Sequence, residues 1–226
     1  VNPTQFGPTE DLQAYPRDFE RDKKLIAACG GSLVFAPRPA DMYAPGACTW
    51  VTVEGLTREL CGRSRPIHFR GVATVVMKLM NIAQPDRAYF GQKDAQQLAV
   101  IRRMVRDLNM PLQVVGCPIV READGLAKSS RNTYLSDEER RAALILSKSL
   151  AAGRALLEKG ETATASVIAE ITRTIETEPL ARIDYVQAVD ADTIEPVETV
   201  KGCVLFAIAV YIGKTRLIDN FYRTAE

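Results

Sequence analysis

Lys128, Ser129, Ser130, Arg131 and Asn132 stand in a row within the stretch GLAKSSRNTYLS, residues 125–136. Two hydroxyls and two cations in so short a run, with backbone N–H groups beside them, suit phosphate oxygens, which need both charge and directed hydrogen bonds. The same composition also makes an ordinary solvated loop, so the motif by itself leaves both readings open. A second stretch, FGQKDAQQL at residues 90–98, sets Gly91 and Gln92 after an expected strand and Lys93 and Asp94 where a helix begins. A helix N-terminus favours an anion, and Lys93 adds a full positive charge there. Asp94 could cap that helix or accept hydrogen bonds from ribose hydroxyls, and Gln97 follows about one turn later.

Two further stretches carry polar groups. VNPTQFGP at the start places the neutral amides Asn2 and Gln5 in a loop whose prolines restrict the backbone. SRPIHFRGV, residues 64–72, flanks His68 with Arg65 and Arg70. A lone histidine is more often structural than catalytic, and the arginines suit a carboxylate, a phosphate or solvent. Neither a GxxxxGK[ST] loop nor a GxGxxG fingerprint occurs, so a nucleotide would have to be held in another way.

The elements that must position these residues follow from pattern. Residues 18–29 have helical spacing and stop at Gly30-Gly31. Residues 32–37 and 49–55 read as strands, 71–81 as a buried helix, 87–91 as a strand, 94–108 as a helix and 112–120 as a strand. This alternation implies α/β architecture, a parallel sheet with helices on both faces, whose ligands sit at the carboxyl ends of the strands. The loops after Val1, Phe90 and Val120 leave those ends, and they hold the unusual residues. Beyond Val120 the pattern changes: a capping box at Ser136–Glu139 opens a long helix to about residue 158, a second helix spans 163–176, and residues 182–190 and two stretches around Gly213-Lys214 read as strands. The expected division is 1–119 and 120–226.

Composition narrows the partners. The 226 residues are 46% hydrophobic and 25% charged with a net charge of +1, which offers no bulk charge for nucleic acid or an anionic membrane. Five scattered cysteines without a CxxC pair point to a reducing, cytoplasmic setting, and one histidine excludes a multi-histidine metal centre. The apolar runs are too short to span a bilayer as a helix.

Taken together, VNPTQFGPTEDLQAYPRD, RPIHFRGVATVVMKLMNIAQPDRAYFGQKDAQQLAVIRRMVRDLNMP and READGLAKSSRNTYLS resemble the pantothenate synthetase (pantoate–β-alanine ligase) family, and the resemblance extends over essentially the whole chain. It implies a Rossmann-like domain of the class I aminoacyl-tRNA synthetase-like nucleotidyl transferase type, with a smaller α+β C-terminal lid. It implies a cytoplasmic homodimer that joins D-pantoate to β-alanine with ATP through a pantoyl adenylate, releasing AMP and pyrophosphate. By the same resemblance Gln5 and Gln97, with Asn2 and Arg65 nearby, take pantoate and β-alanine. Gly91, Gln92, Lys93 and Asp94 contact ATP, with Lys93 on the phosphates and Asp94 near the ribose. Val120 and Lys128 flank the adenine through their backbones, and Ser129, Ser130 and Arg131 grip the phosphates. Lys93 and Arg131 carry the catalytic charge stabilisation. Mg2+ bridges phosphates, with no metal ligand from protein side chains.

Two departures qualify the match. The family's HIGH-like motif with its proton-donor histidine has no counterpart here, and His68 does not correspond to it. The opening, without methionine, reads as the end of a strand, so the expectation is a missing N-terminal segment and a chain unable to adenylate alone. Gln92 replaces a common glutamate, and Lys128 stands where apolar residues are common. The alternatives are a related nucleotidyltransferase, which would need more cations around its phosphorylated substrate, or a fragment that binds ATP without turnover.

Overall fold

In the computed structural model, which describes residues 1–224, helices form where local signals ask for them. Asp18 accepts a hydrogen bond from the Arg21 N–H and opens α1 (Phe19–Ala28), satisfying one of the N–H groups a helix start leaves without a partner. Two short helices, α2 (Pro39–Met42) and α3 (Leu60–Ser64), precede α4 (His68–Ala83). Then come β1 (Arg87–Gly91), α5 (Ala95–Asp107) and β2 (Gln113–Cys117). β1 and β2 pair in parallel, from Arg87 opposite Gln113 to Gly91 opposite Cys117. Val72, Ala73 and Met80 of α4 meet Ile101, Met104 and Val105 of α5 in a core against which Ala88, Phe90 and Val114 of the sheet pack.

The parallel sheet differs from the expectation. Among the described residues it has two strands, and helices cover one face only: Tyr89, on the other, is 61% exposed. Residues 32–37 and 49–55 join no ladder, and Val1 belongs to no strand. Alternating apolar residues make a segment fit for a sheet, but a strand exists only where a neighbour supplies its backbone partners. The Val51 N–H bonds instead to the Thr74 hydroxyl at 3.0 Å. β2 stops short of residue 120, at Cys117, because Pro118 has no N–H to continue the ladder.

In the second half the Ser136–Glu139 capping box is made in both directions and opens α6 (Asp137–Ala142). The expected long helix is interrupted at Ala143-Leu144, where bonds to the third preceding carbonyl, such as Leu144 N–H to Arg141 O, tighten the chain before α7 (Ile145–Glu158). α8 (Thr164–Ile175) follows, then β3 (Ala181–Asp190), β4 (Cys203–Ile212) and β5 (Thr215–Thr224), an antiparallel sheet in that order. Gly213, at φ +56°, makes the β4–β5 turn in a conformation other residues rarely adopt.

This sheet joins the two halves. Val204, Phe206, Ile208, Val210 and Ile212 of β4 face Leu150, Val167 and Ile171 of α7 and α8. Leu205 and Ala207 face the other way, onto Leu56, Leu60, Phe69, Ala95 and Val100 of the first half. Side chains alternate across a strand, so a strand buried on both faces needs a continuous apolar run, which is what CVLFAIAVYI supplies. No helix among the described residues is long and apolar enough to cross a membrane.

Candidate active site

A cavity of about 280 Å³ opens between the carboxyl end of β1, the opening loop and the antiparallel sheet. Its walls bring together Gln5, Arg65, Lys93, Asp94, Gln97, Ser129 and Arg131, although 126 positions separate the first from the last. Asn2, Gly91, Gln92, Val120, Lys128 and Ser130 lie outside the lining.

Gln5 is held from several sides. The Asn2 amide donates to its Oε1 at 3.2 Å, which leaves the Gln5 Nε2 hydrogens for a ligand. Its backbone carbonyl accepts from His68 Nδ1 at 2.9 Å and from Arg65 at 3.3 Å. Because a carbonyl only accepts, the neutral imidazole carries its proton on Nδ1. Gly71 of α4 lets this loop come close: a Cβ there would lie 2.3 Å from the Thr4 carbonyl oxygen. His68 therefore has the structural role of tying down the opening loop.

Burial, with the Arg65 charge beside it, lowers the His68 pKa from 6.5 to about 4. The sign follows from proton uptake. Between pH 6.5 and 4 the unfolded chain gains a proton that the folded one refuses, so stability falls as pH falls through that window. The expected loss is about 3 kcal/mol. His68→Gln should flatten the slope between pH 6.5 and 4.5 in urea unfolding, and an unchanged slope would refute the assignment.

The cations of the cavity are not equivalent. Burial would raise the Glu10 carboxyl, but the hydrogen bond and charge of Arg65 outweigh it and hold it low; Arg65 Nε lies 2.8 Å from Glu10 Oε1. Asp11 is likewise pushed up by burial and brought below its ordinary value by Arg131, through bonds of 2.9 and 2.8 Å. Arg216 pairs with Asp184 at 2.7 Å. Among the described residues Lys93 is the one cation lining the cavity without a carboxylate partner. Asp94, exposed at the start of α5, makes no side-chain capping bond, so the cap reading fails and its carboxylate is free for another donor.

The basic stretch is itself shaped. Arg121 and Ala127 bridge, and Lys128 N–H bonds to the Val120 carbonyl at 2.9 Å, which brings Val120 and Lys128 together by backbone. Ser129 Oγ accepts from Arg131 N–H at 3.2 Å and starts a 3-10 turn over Ser130–Tyr134, keeping its own O–H to donate.

The antiparallel sheet adds wall residues that no motif announced: Tyr185, Arg216, Asp219 and Asn220. A signal existed for two of them. Asp219 and Asn220 interrupt the apolar strand RLIDNFY, and buried polar groups in such a strand need partners.

Comparison with known proteins gives this geometry its context. Residues 1–222 match the family model described as Pantoate-beta-alanine ligase. The chain belongs to the pantoate–β-alanine ligase family. It is 60% identical over 221 residues to the pantothenate synthetase of Ruminiclostridium cellulolyticum, covering 98% of this chain and 79% of that protein. It is 62% identical to that of Heliobacterium modesticaldum, covering 97% and 78%. The fold superposes on the pantothenate synthetase of Thermus thermophilus with a TM-score of 0.94 at 47% identity, over 97% of this chain and 80% of that one. The pantoate–β-alanine ligase of Francisella tularensis, complexed with beta-gamma ATP and beta-alanine, matches at TM-score 0.75 and 31% identity, over 98% of this chain and 76% of that one. As a pantoate–β-alanine ligase, the chain is an enzyme of pantothenate biosynthesis with a mixed α/β fold.

Proposed function

We propose that the cavity condenses D-pantoate with β-alanine, using ATP, through a pantoyl adenylate. The observation that carries this reading is the meeting of Lys93, Ser129 and Arg131, from separate turns, beside the neutral amides of Gln5 and Gln97. Gln5 and Gln97 hold pantoate, Asn2 orients Gln5, and Arg65 borders the same acid-binding end. A cation paired tightly to the pantoate carboxylate would lower its nucleophilicity, whereas amides orient it with less of that effect. Lys93, Ser129, Ser130 and Arg131 take the phosphates, Asp94 the ribose, and the backbones of Gly91, Gln92, Val120 and Lys128 the rest of the nucleotide.

In the first step a carboxylate oxygen attacks the α-phosphorus in line, an O–P bond forms, and the bond to pyrophosphate breaks. In the second, the β-alanine amine attacks the acyl carbon, AMP leaves with the C–O bond electrons, and the nitrogen loses a proton. The protein supplies position and charge stabilisation. Mg2+ bound with the nucleotide would add charge neutralisation on the phosphates. The local donor set fits an ion held by the nucleotide: of the two lining carboxylates Asp219 is engaged by Arg121, Asp94 is a single free oxygen donor, and no cluster of three ligating side chains occurs among the described residues. The family resemblance further supports a Rossmann-like first part (1–119) of the class I synthetase-like type, a lid (120–226), and a cytoplasmic homodimer.

The test is the acid that drives ATP–pyrophosphate exchange. D-pantoate should support it, which would overturn the expectation of a chain unable to adenylate alone, and Gln97→Ala should weaken pantoate affinity by about 10- to 100-fold, as for a hydrogen bond to a charged group. Exchange driven instead by a phosphorylated substrate would replace this reading with a nucleotidyltransferase. ATP binding without exchange would leave a binding fragment.

A further inference from the structure

Asn220 sits on β5 on the same face as Ile218 and Tyr222, turned toward the first half of the chain. It is 3% exposed and lines the cavity. Its Nδ2 donates to two successive backbone carbonyls, that of Gln92 at 3.0 Å and that of Lys93 at 2.9 Å, across 127 positions of sequence or more. Both amide hydrogens are thereby used. The reversed amide would set Oδ1 against two carbonyl oxygens, so the orientation is fixed by its contacts. Oδ1 is buried without a protein partner.

These bonds fall on the turn that carries the one cavity cation lacking a carboxylate among the described residues. Gln92–Asp94 is a single 3-10 turn between β1 and α5, and its opening residue Gly91 makes no side-chain cap. The two bonds from β5 hold its backbone from outside the turn. The neighbouring residue on the strand does the corresponding work for the other loop. Asp219, on the opposite face, grips Arg121 at 2.7 and 2.9 Å, and Arg121 donates to the Gly125 carbonyl at the base of the basic stretch. One strand thus holds both loops.

We propose that Asn220 is a positioning residue of the ligase, tethering the Gln92–Lys93 turn to β5 so that the Lys93 ammonium enters the cavity at a set place. The function of this tether rests on the reading of Lys93 as a phosphate ligand; the tether itself does not. Asn220→Asp keeps the size of the side chain, removes both donors and turns a carboxylate toward two carbonyl oxygens. Asn220→Ala removes the donors without adding charge, and is the variant scored if the aspartate form does not fold.

Two readouts separate tether from reading. Hydrogen exchange over residues 92–98 should quicken by about 10- to 100-fold, the loss expected of two neutral hydrogen bonds, while residues 204–210 of β4 stay protected. ATP affinity should fall by about tenfold in the otherwise intact chain, and the same substitution in a Lys93→Ala background should cost clearly less, because most of its effect passes through the Lys93 ammonium. Unchanged exchange over 92–98, or equal losses of affinity in both backgrounds, would overturn the proposal. If exchange quickens but Lys93→Ala itself leaves ATP affinity untouched, the tether stands and the phosphate role of Lys93 falls.

Discussion

Lys93→Ala is expected to lower pantoate-dependent ATP–pyrophosphate exchange by about 10²–10³-fold, the usual cost of losing one preorganised charge-stabilising group. The reason lies in the company the cavity's cations keep. Arg65, Arg131 and Arg216 each have a carboxylate within bonding distance, which cancels much of their field. Lys93 has none among the described residues, so its whole charge is left for an anion. Its backbone is held by Asn220 at one end and continues into α5 at the other, so the ammonium is presented from a fixed base. Lys93→Arg should recover only part of the rate, because a planar, delocalised guanidinium does not reproduce a compact ammonium. Thermal unfolding should hardly move, since Lys93 is only half-buried and belongs to none of the apolar clusters. Turnover unchanged by the alanine variant would remove Lys93 from the chemistry.

Arg121→Ala is expected to destabilise the fold by about 3 kcal/mol, toward the lower end of the range for breaking a buried ion pair, because a third of the Arg121 side chain reaches solvent. Asp219 is 1% exposed and is left with the Asn220 N–H as its remaining donor. A carboxylate stranded in that position must either stay charged out of water or take up a proton, and both cost free energy. For a chain of this size the melting temperature should fall by roughly 10 °C. Replacing both partners, with Arg121→Met and Asp219→Leu, should cost less than Arg121→Ala alone, since no charge is then stranded. A loss below about 0.5 kcal/mol for Arg121→Ala in urea unfolding, the range of ordinary surface changes, would show that the pair does not hold the loop.

The opening and basic loops are both recognisable in the sequence as candidate ligand-binding stretches, yet the roles of individual residues within them depend on contacts far away. Asp94 has the position of a helix cap, but its side chain makes no such bond. Arg65 and Arg131 have the composition of free cations, and the fold gives each a carboxylate, Glu10 and Asp11, from the opening segment. His68 is solitary in the sequence between Ile67 and Phe69, and only the fold shows it donating to the Gln5 carbonyl. Asp219 and Asn220 visibly interrupt an apolar hairpin arm, but their partners, 98 and more than 120 positions away, appear only in the fold.

Local chemistry is enough for the helix at 19–28, the capping box at Ser136, the hairpin at Gly213 and the apolar faces of α4 and α5, because each depends on residues within a few positions of one another. The number of paired strands, the two-sided burial of β4 and the pairing of cavity charges require the folded chain. Residues 49–55 alternate as a strand should and still find no ladder. Backbone pairing and ion pairing are satisfied between elements remote in sequence, and no local periodicity records which partner will be present.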